Sequence, residues 1–219
     1  MTIEMNIQRY SSVEALAQSV ANLVVQSAKQ AIVERGVFHW ALAGGTSPKL
    51  CYEKLRDGPI DWKKVHVWFG DERCLPVGDV ERNDWMADQA LLNHVSIPTS
   101  NIHRIHAELG VKEAAKQYAD ALASIECLDL VLLGMGEDGH TASLFPNNAA
   151  LLSDAFAVAI YDSPKPPSDR VSMGYKTLKA ARQRIMMVTG EGKREVFERL
   201  CLGEDFPISI DNSEWHTTL

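Results

Sequence analysis

Apolar positions recur at helical spacing over residues 12–35. Val13, Leu16, Ala17, Val20, Leu23, Val24, Ala28 and Ala31 share one side of a 3.6-residue repeat. Ser11 or Ser12 can cap this helix, and Gly36 stops it. The pattern then changes to short apolar runs bounded by glycine and charge. Residues 38–43, 65–69, 128–134, 155–160 and 184–188 predict strands. Helical segments at 49–55, 84–93, 111–125 and 194–202 fall between or after them. Residues 161–169 hold three prolines and read as a loop, and 170–175 fits an edge strand. No element is predicted for the first ten residues or after residue 210.

Strands that alternate with helices imply right-handed βαβ units. The expected fold is therefore α/β: a mostly parallel sheet with helices on both faces. The Pro-rich stretch at 164–169 makes a poor domain linker, so residues 1–219 are expected to form a single α/β domain.

Composition narrows the partners. Of 219 residues, 46% are hydrophobic, enough for a substantial core, and the net charge is −7 from 22 basic and 29 acidic residues. With no basic block, a nucleic-acid-binding surface is not expected. No stretch matches a signal peptide or a membrane span, which points to a cytoplasmic protein with no membrane partner. Cys51, Cys74, Cys127 and Cys201 are dispersed, with no C-x-x-C pair, and fit free thiols in a reducing compartment. No H-x-x-x-H or H-E-x-x-H spacing suggests a metal.

Four loops carry unusual chemistry, and each follows a predicted strand. In a parallel sheet such loops share one edge, where ligands bind. Gly44-Gly-Thr-Ser-Pro48 reads as an anion cradle: glycines for close approach, Thr46 or Ser47 as a helix cap, Pro48 in the first turn. An ordinary tight turn has the same signature. Gly190-Glu-Gly-Lys193 places a cation at a helix start, where the dipole disfavours it, which hints at a nearby anion. Asp71-Glu-Arg73 is either a solvated or ion-paired loop, or a carboxylate-oriented guanidinium that binds phosphate or polarises a carbonyl. Arg170 is a further candidate cation. The fourth loop, Glu137-Asp-Gly-His140, sets a carboxylate two residues from an imidazole, a pairing suited to acid–base work near neutral pH. Thr141 or Ser143 could cap a short helix after it. His39 and His66 lie within strands and read as structural.

Taken together and in order, Gly44-Gly-Thr-Ser-Pro48, Gly70-Asp-Glu-Arg73 with Asn83 downstream, Gly134-Met-Gly-Glu-Asp-Gly-His-Thr-Ala-Ser-Leu-Phe-Pro146 and Gly190-Glu-Gly-Lys193 resemble the 6-phosphogluconolactonase family, relatives of the glucosamine-6-phosphate deaminases. The deaminases carry a similar Asp-Gly-His element but continue with an Asn-Glu-Pro-type ending where Ser143-Leu-Phe-Pro146 stands here. They also tend to have Asp-Glu-Tyr in place of Asp71-Glu-Arg73. Both differences favour the lactonase side.

The resemblance implies a modified Rossmann-like fold and hydrolysis of 6-phospho-D-glucono-1,5-lactone, the second step of the oxidative pentose phosphate pathway, with no cofactor. It implies catalytic roles for His140, Asp138 and Arg73. Substrate contacts are implied for Gly44, Gly45, Thr46, Ser47, Asp71, Asn83, Arg170 and Lys193. The expected partner is a phosphorylated sugar lactone, and the chain is expected as a monomer or small homo-oligomer. Two rivals stand beside this reading. One is an amino-sugar-phosphate isomerase/deaminase with Asp71 as base. The other is a non-catalytic sugar-phosphate sensor, disfavoured because no helix-turn-helix candidate precedes residue 37.

Overall fold

A computed structural model describes residues 5–219. Helix α1 (Val13–Arg35) follows strand β1 (Asn6–Arg9). Ser12 caps the helix, its hydroxyl accepting from the Ala15 amide at 3.1 Å, and Gly36 closes it in the left-handed region at φ 79°. The buried stripe is Leu16, Ala17, Val20, Ala21, Val24, Ala28 and Ala31, close to the face expected from periodicity.

The remaining elements alternate: β2 (Phe38–Leu42), α2 (Thr46–Lys54), β3 (Val65–Phe69), β4 (Asp71–Arg73), α3 (Asn83–Ala90), α4 (Val111–Leu122), β5 (Leu130–Gly134), β6 (Ala157–Ile160), β7 (Arg170–Met173), α5 (Tyr175–Ala180), β8 (Gln183–Val188), α6 (Arg194–Cys201) and β9 (Glu214–Thr217). Six strands form an all-parallel sheet in the order β1-β9-β8-β5-β2-β3. β2 leads outward to β3, whereas β5 leads the opposite way to β8. Right-handed crossovers in opposite directions place helices on opposite faces, as the alternating pattern predicted. They also open a crevice between the carboxyl ends of β2 and β5, the switch point where ligands bind in such sheets.

Several features depart from the pattern, among them a short helix, α5, where none was predicted. β1 and β9 are strands where no element was predicted. The patterning missed them because β1 is largely exposed at the sheet edge and β9 is only four residues long. Asp71–Arg73 is not a loop but a strand, β4. Residues 170–175 do not form an edge strand: β7 stops at Met173, and it is the middle strand of a second, antiparallel sheet in the order β4-β7-β6. This small sheet is joined to the large one at Gly70, whose amide donates to Leu42 and whose carbonyl accepts from Met173. A single apolar cluster runs through both, from Val20 and Trp40 to Leu132, Val171 and Ile185. Among the described residues, no helix is long and apolar enough to cross a membrane.

Candidate active site

The four chemistry-bearing segments follow β2, β3, β5 and β8, which are neighbours in the sheet, so parallel topology brings them to one edge. A cavity of about 170 Å³ lies there. Its walls include Gly44, Gly45, Asp71, Arg73, Asn83, His140, Arg170 and Lys193. Eight of the eleven residues singled out from the sequence thus share one cavity.

His140 sits in the turn after β5. Its Nδ1 is 2.5 Å from Asp138 Oδ1, and its amide donates to the same oxygen at 3.2 Å. The pair fixes the tautomer: Nδ1 carries the proton toward the carboxylate and Nε2 is left as an acceptor. The turn is closed by the Gly136 amide donating to the His140 carbonyl at 2.9 Å. Gly136 has to be glycine, because a Cβ there would lie 2.0 Å from His140 Nδ1. Burial holds His140 below its usual pKa, outweighing the opposite pull of Asp138 and Asp71. The imidazole is therefore neutral at pH 7. Burial works to raise Asp138, but the hydrogen bonds and charge of His140 leave it below the usual carboxylate range.

Asp71 is buried and engaged on both oxygens. Asn83 Nδ2 donates to Oδ1 at 3.0 Å and to the Asp71 carbonyl at 2.8 Å, and the Ser143 hydroxyl donates to Oδ2 at 2.5 Å. Asn83 also explains Gly44, where a Cβ would meet Asn83 Oδ1 at 2.1 Å. Glu72, next in β4, accepts from the Arg73, Asn83 and Asp84 amides and so anchors the start of α3. The Asp71-Glu-Arg73 segment is thus no solvated loop.

Arg73 and Arg170 are directly opposed in the β4–β7 register. Like charges facing across strands cost stability unless something neutralises them. Arg170 gives Nε and Nη2 to the carbonyls of Lys165, Pro166 and Pro167, pinning the Pro-rich loop to the cavity wall. Arg73 donates to the Glu81 carbonyl, and its buried Nε has no hydrogen-bond partner among the described residues. Lys193 completes the cationic wall. Burial lowers its pKa, Glu137 counters this, and Lys165 adds to it.

Some expectations shift. Neither Thr46 nor Ser47 caps α2. The cap is Gly45, with no side-chain bond, because α2 begins at Thr46 itself. Ser47 instead shares a 2.5 Å hydrogen bond with Thr189, tying the first turn of α2 to the loop after β8. Thr46 is exposed and lines, with Lys49, a depression of about 340 Å³ that shares Gly45, Arg73 and Asn83 with the first cavity. Thr141 and Ser143 cap no helix; the Thr141 hydroxyl donates to the Gly134 carbonyl and Ser143 holds Asp71. Lys193 ends a 3₁₀ turn immediately before α6. Sequence reasoning missed Lys165, whose ammonium lies 3.8 Å from Glu137 and whose charge reaches both His140 and Lys193. A lone lysine among prolines carries no sequence signal. Among the described residues, no three His, Cys, Asp or Glu side chains are grouped to hold a metal ion.

A family model described as glucosamine-6-phosphate isomerases/6-phosphogluconolactonase matches residues 11–217. The chain belongs to this family. The 6-phosphogluconolactonase of Mycobacterium tuberculosis is 34% identical over 220 residues, covering 94% of this chain and 89% of that protein. The human GDH/6PGL endoplasmic bifunctional protein is 37% identical over 194 residues, and the chain spans only 24% of its length. The crystal structure of the Thermotoga maritima 6-phosphogluconolactonase superposes with a TM-score of 0.89 over 98% of both chains at 23% identity, a likeness of fold.

Proposed function

We propose that the chain is a 6-phosphogluconolactonase, hydrolysing 6-phospho-D-glucono-1,5-lactone to 6-phosphogluconate. The observation that carries the reading is an imidazole, His140, held at Nδ1 by Asp138, in a cavity whose other walls bear Arg73, Arg170 and Lys193. Family membership supports it, since lactone hydrolysis is one of the two chemistries in the family's description. The opposed guanidiniums suit a phosphate that relieves their repulsion, and Lys193 adds a point charge. Backbone amides of the loop after β2 give the phosphate further donors.

With the phosphate so held, the lactone carbonyl faces His140. Nε2 takes a proton from water as the water oxygen bonds to C1. The tetrahedral oxyanion is met by Arg73 or by backbone amides of the glycine turns. Collapse breaks the bond from C1 to the ring oxygen, and His140 returns its proton to that oxygen. Asp138 fixes the imidazole and stabilises its protonated form throughout. The reaction consumes one water and needs no redox partner. We further propose that residues 1–219 work as one unit, as a cytoplasmic monomer or small homo-oligomer.

The deaminase reading would use Asp71 as a base. Both its oxygens already accept hydrogen bonds from Asn83 and Ser143, which suits a structural anchor better. The test is to offer the purified protein the phosphogluconolactone and glucosamine 6-phosphate separately. Accelerated lactone opening without ammonia release is expected. Ammonia release without lactone opening would overturn the reading, and binding without turnover of either would support a sensor.

A further inference from the structure

Phe145 lies five residues past His140, and its side chain is buried. Its ring centroid is 4.5 Å from the imidazole centroid, tilted by 42°. On the same ring, the Arg170 guanidinium carbon lies 5.9 Å from the centroid. One aromatic side chain therefore touches the proposed base and a cation of the cavity wall. The charged groups around His140 are Asp138 in its own turn, Asp71 from β4, Lys165 from the Pro-rich loop, Arg170 from β7 beyond the Phe145 ring, and Lys193 across the cavity. Of these, Asp138 hydrogen-bonds the imidazole directly.

We infer that Phe145 is a positioning residue for His140: its ring occupies the side of the imidazole that water would otherwise solvate, and it holds the Arg170 guanidinium off the base. Hydrocarbon against the imidazole penalises its charged form, so the base stays neutral into mildly acidic solution. The ring's π face attracts the guanidinium, which the carbonyls of Lys165, Pro166 and Pro167 also hold. The inference rests on His140 being the base, but the effect of Phe145 on the imidazole is measurable without turnover.

The experiment compares wild type, Phe145→Leu and Phe145→Tyr by NMR titration of His140, assigned with His140→Gln, and by the pH profile of kcat on the phosphogluconolactone. Leucine keeps the site apolar but removes the ring. It is expected to move the His140 titration and the acid limb of kcat upward in pH, and to lower kcat by about five- to tenfold with KM nearly unchanged. Tyrosine keeps the ring and should retain the wild-type titration. A Phe145→Leu protein that is folded, by thermal melt, and whose His140 titrates as in wild type would overturn the inference, whatever its kcat. Absence of lactonase activity in wild type would instead strike the proposed reaction, leaving the titration to judge Phe145.

Discussion

At the carboxyl end of the parallel sheet, His140 has a carboxylate 2.5 Å from Nδ1, an aromatic ring against one side and a cavity with three cations beside it. At the amino end, His39 on β2 and His66 on β3 are register partners, and His103 stacks on Trp68 at 4.0 Å between ring centroids. His66 Nδ1 lies 3.0 Å from His103 Nε2, and Trp68 donates to His39 Nδ1 at 3.1 Å. Burial lowers the pKa of all four histidines, and His103 falls to about 4. Among the described residues, none of the amino-end rings hydrogen-bonds a carboxylate. Burial alone thus makes a neutral histidine. A base also needs a group that orients it, stabilises the proton it takes up, and leaves its other nitrogen facing substrate.

The comparison is broken most directly by removing one histidine from each end. His140→Ala is expected to lower kcat/KM on the phosphogluconolactone by about 10²–10⁴-fold, the usual contribution of a general base. His103→Phe should leave kcat/KM within about twofold, because the stacked ring is kept and no substrate reaches it. Equal losses at the two ends would dissolve the distinction.

Asp138→Asn tests the orienting group. It should cost up to about 10⁴-fold in kcat, comparable to loss of the base itself, because an asparagine amide can hold the imidazole in the wrong tautomer and cannot stabilise a protonated ring. Asp138 raises the His140 pKa against burial, so removing its charge should move the acid limb of kcat/KM to lower pH. A limb that moves upward would contradict the burial argument.

Lys193→Ala tests the cationic wall. A rise in KM of about 10–100-fold is expected for the phosphorylated lactone, in line with loss of a charge-assisted hydrogen bond. The unphosphorylated lactone should be hydrolysed by variant and wild type with similar KM. A rise in KM for both lactones would place Lys193 elsewhere than at the phosphate.

The smallest effect concerns stability. The amino-end histidines have folded-state pKa values below the unfolded value of about 6.5. At pH 7 neither state binds a proton there and nothing is lost. As pH falls below about 6.5 the unfolded chain takes up protons that the native cluster refuses, so stability declines until native His103 protonates near pH 4. Urea unfolding at pH 7 and pH 5 should show this decline, and His103→Phe should make it shallower. His140 contributes with the same sign in both proteins. An identical slope would remove the cluster from the acid response.

Much of this was legible in sequence. The α1 stripe, its Ser12 cap and the apolar runs at β2, β3, β5 and β8 each depend on neighbours a few residues away, so periodicity and capping chemistry reveal them. The shared edge of the four loops followed from parallel topology alone. The failures lie where long-range pairing decides. β9 becomes a strand because β8 and β1 flank it, and its four residues show no pattern of their own. Ser143 looked like a helix cap by local rules but serves Asp71, 72 positions earlier.

The sequence by itself determined the α/β alternation, the glycine turns and the set of residue types available for acid–base and anion chemistry, because these follow from local sterics and spacing. Only the tertiary structure decided which of those residues act together. It opposed Arg73 to Arg170 through an antiparallel sheet, bound Ser47 to Thr189, brought Lys165 toward Glu137 and set Phe145 between His140 and Arg170. Apart from Phe145 and His140, these pairs lie far apart in the chain. Their contacts arise from how distant strands pair and pack, an outcome that no local pattern encodes.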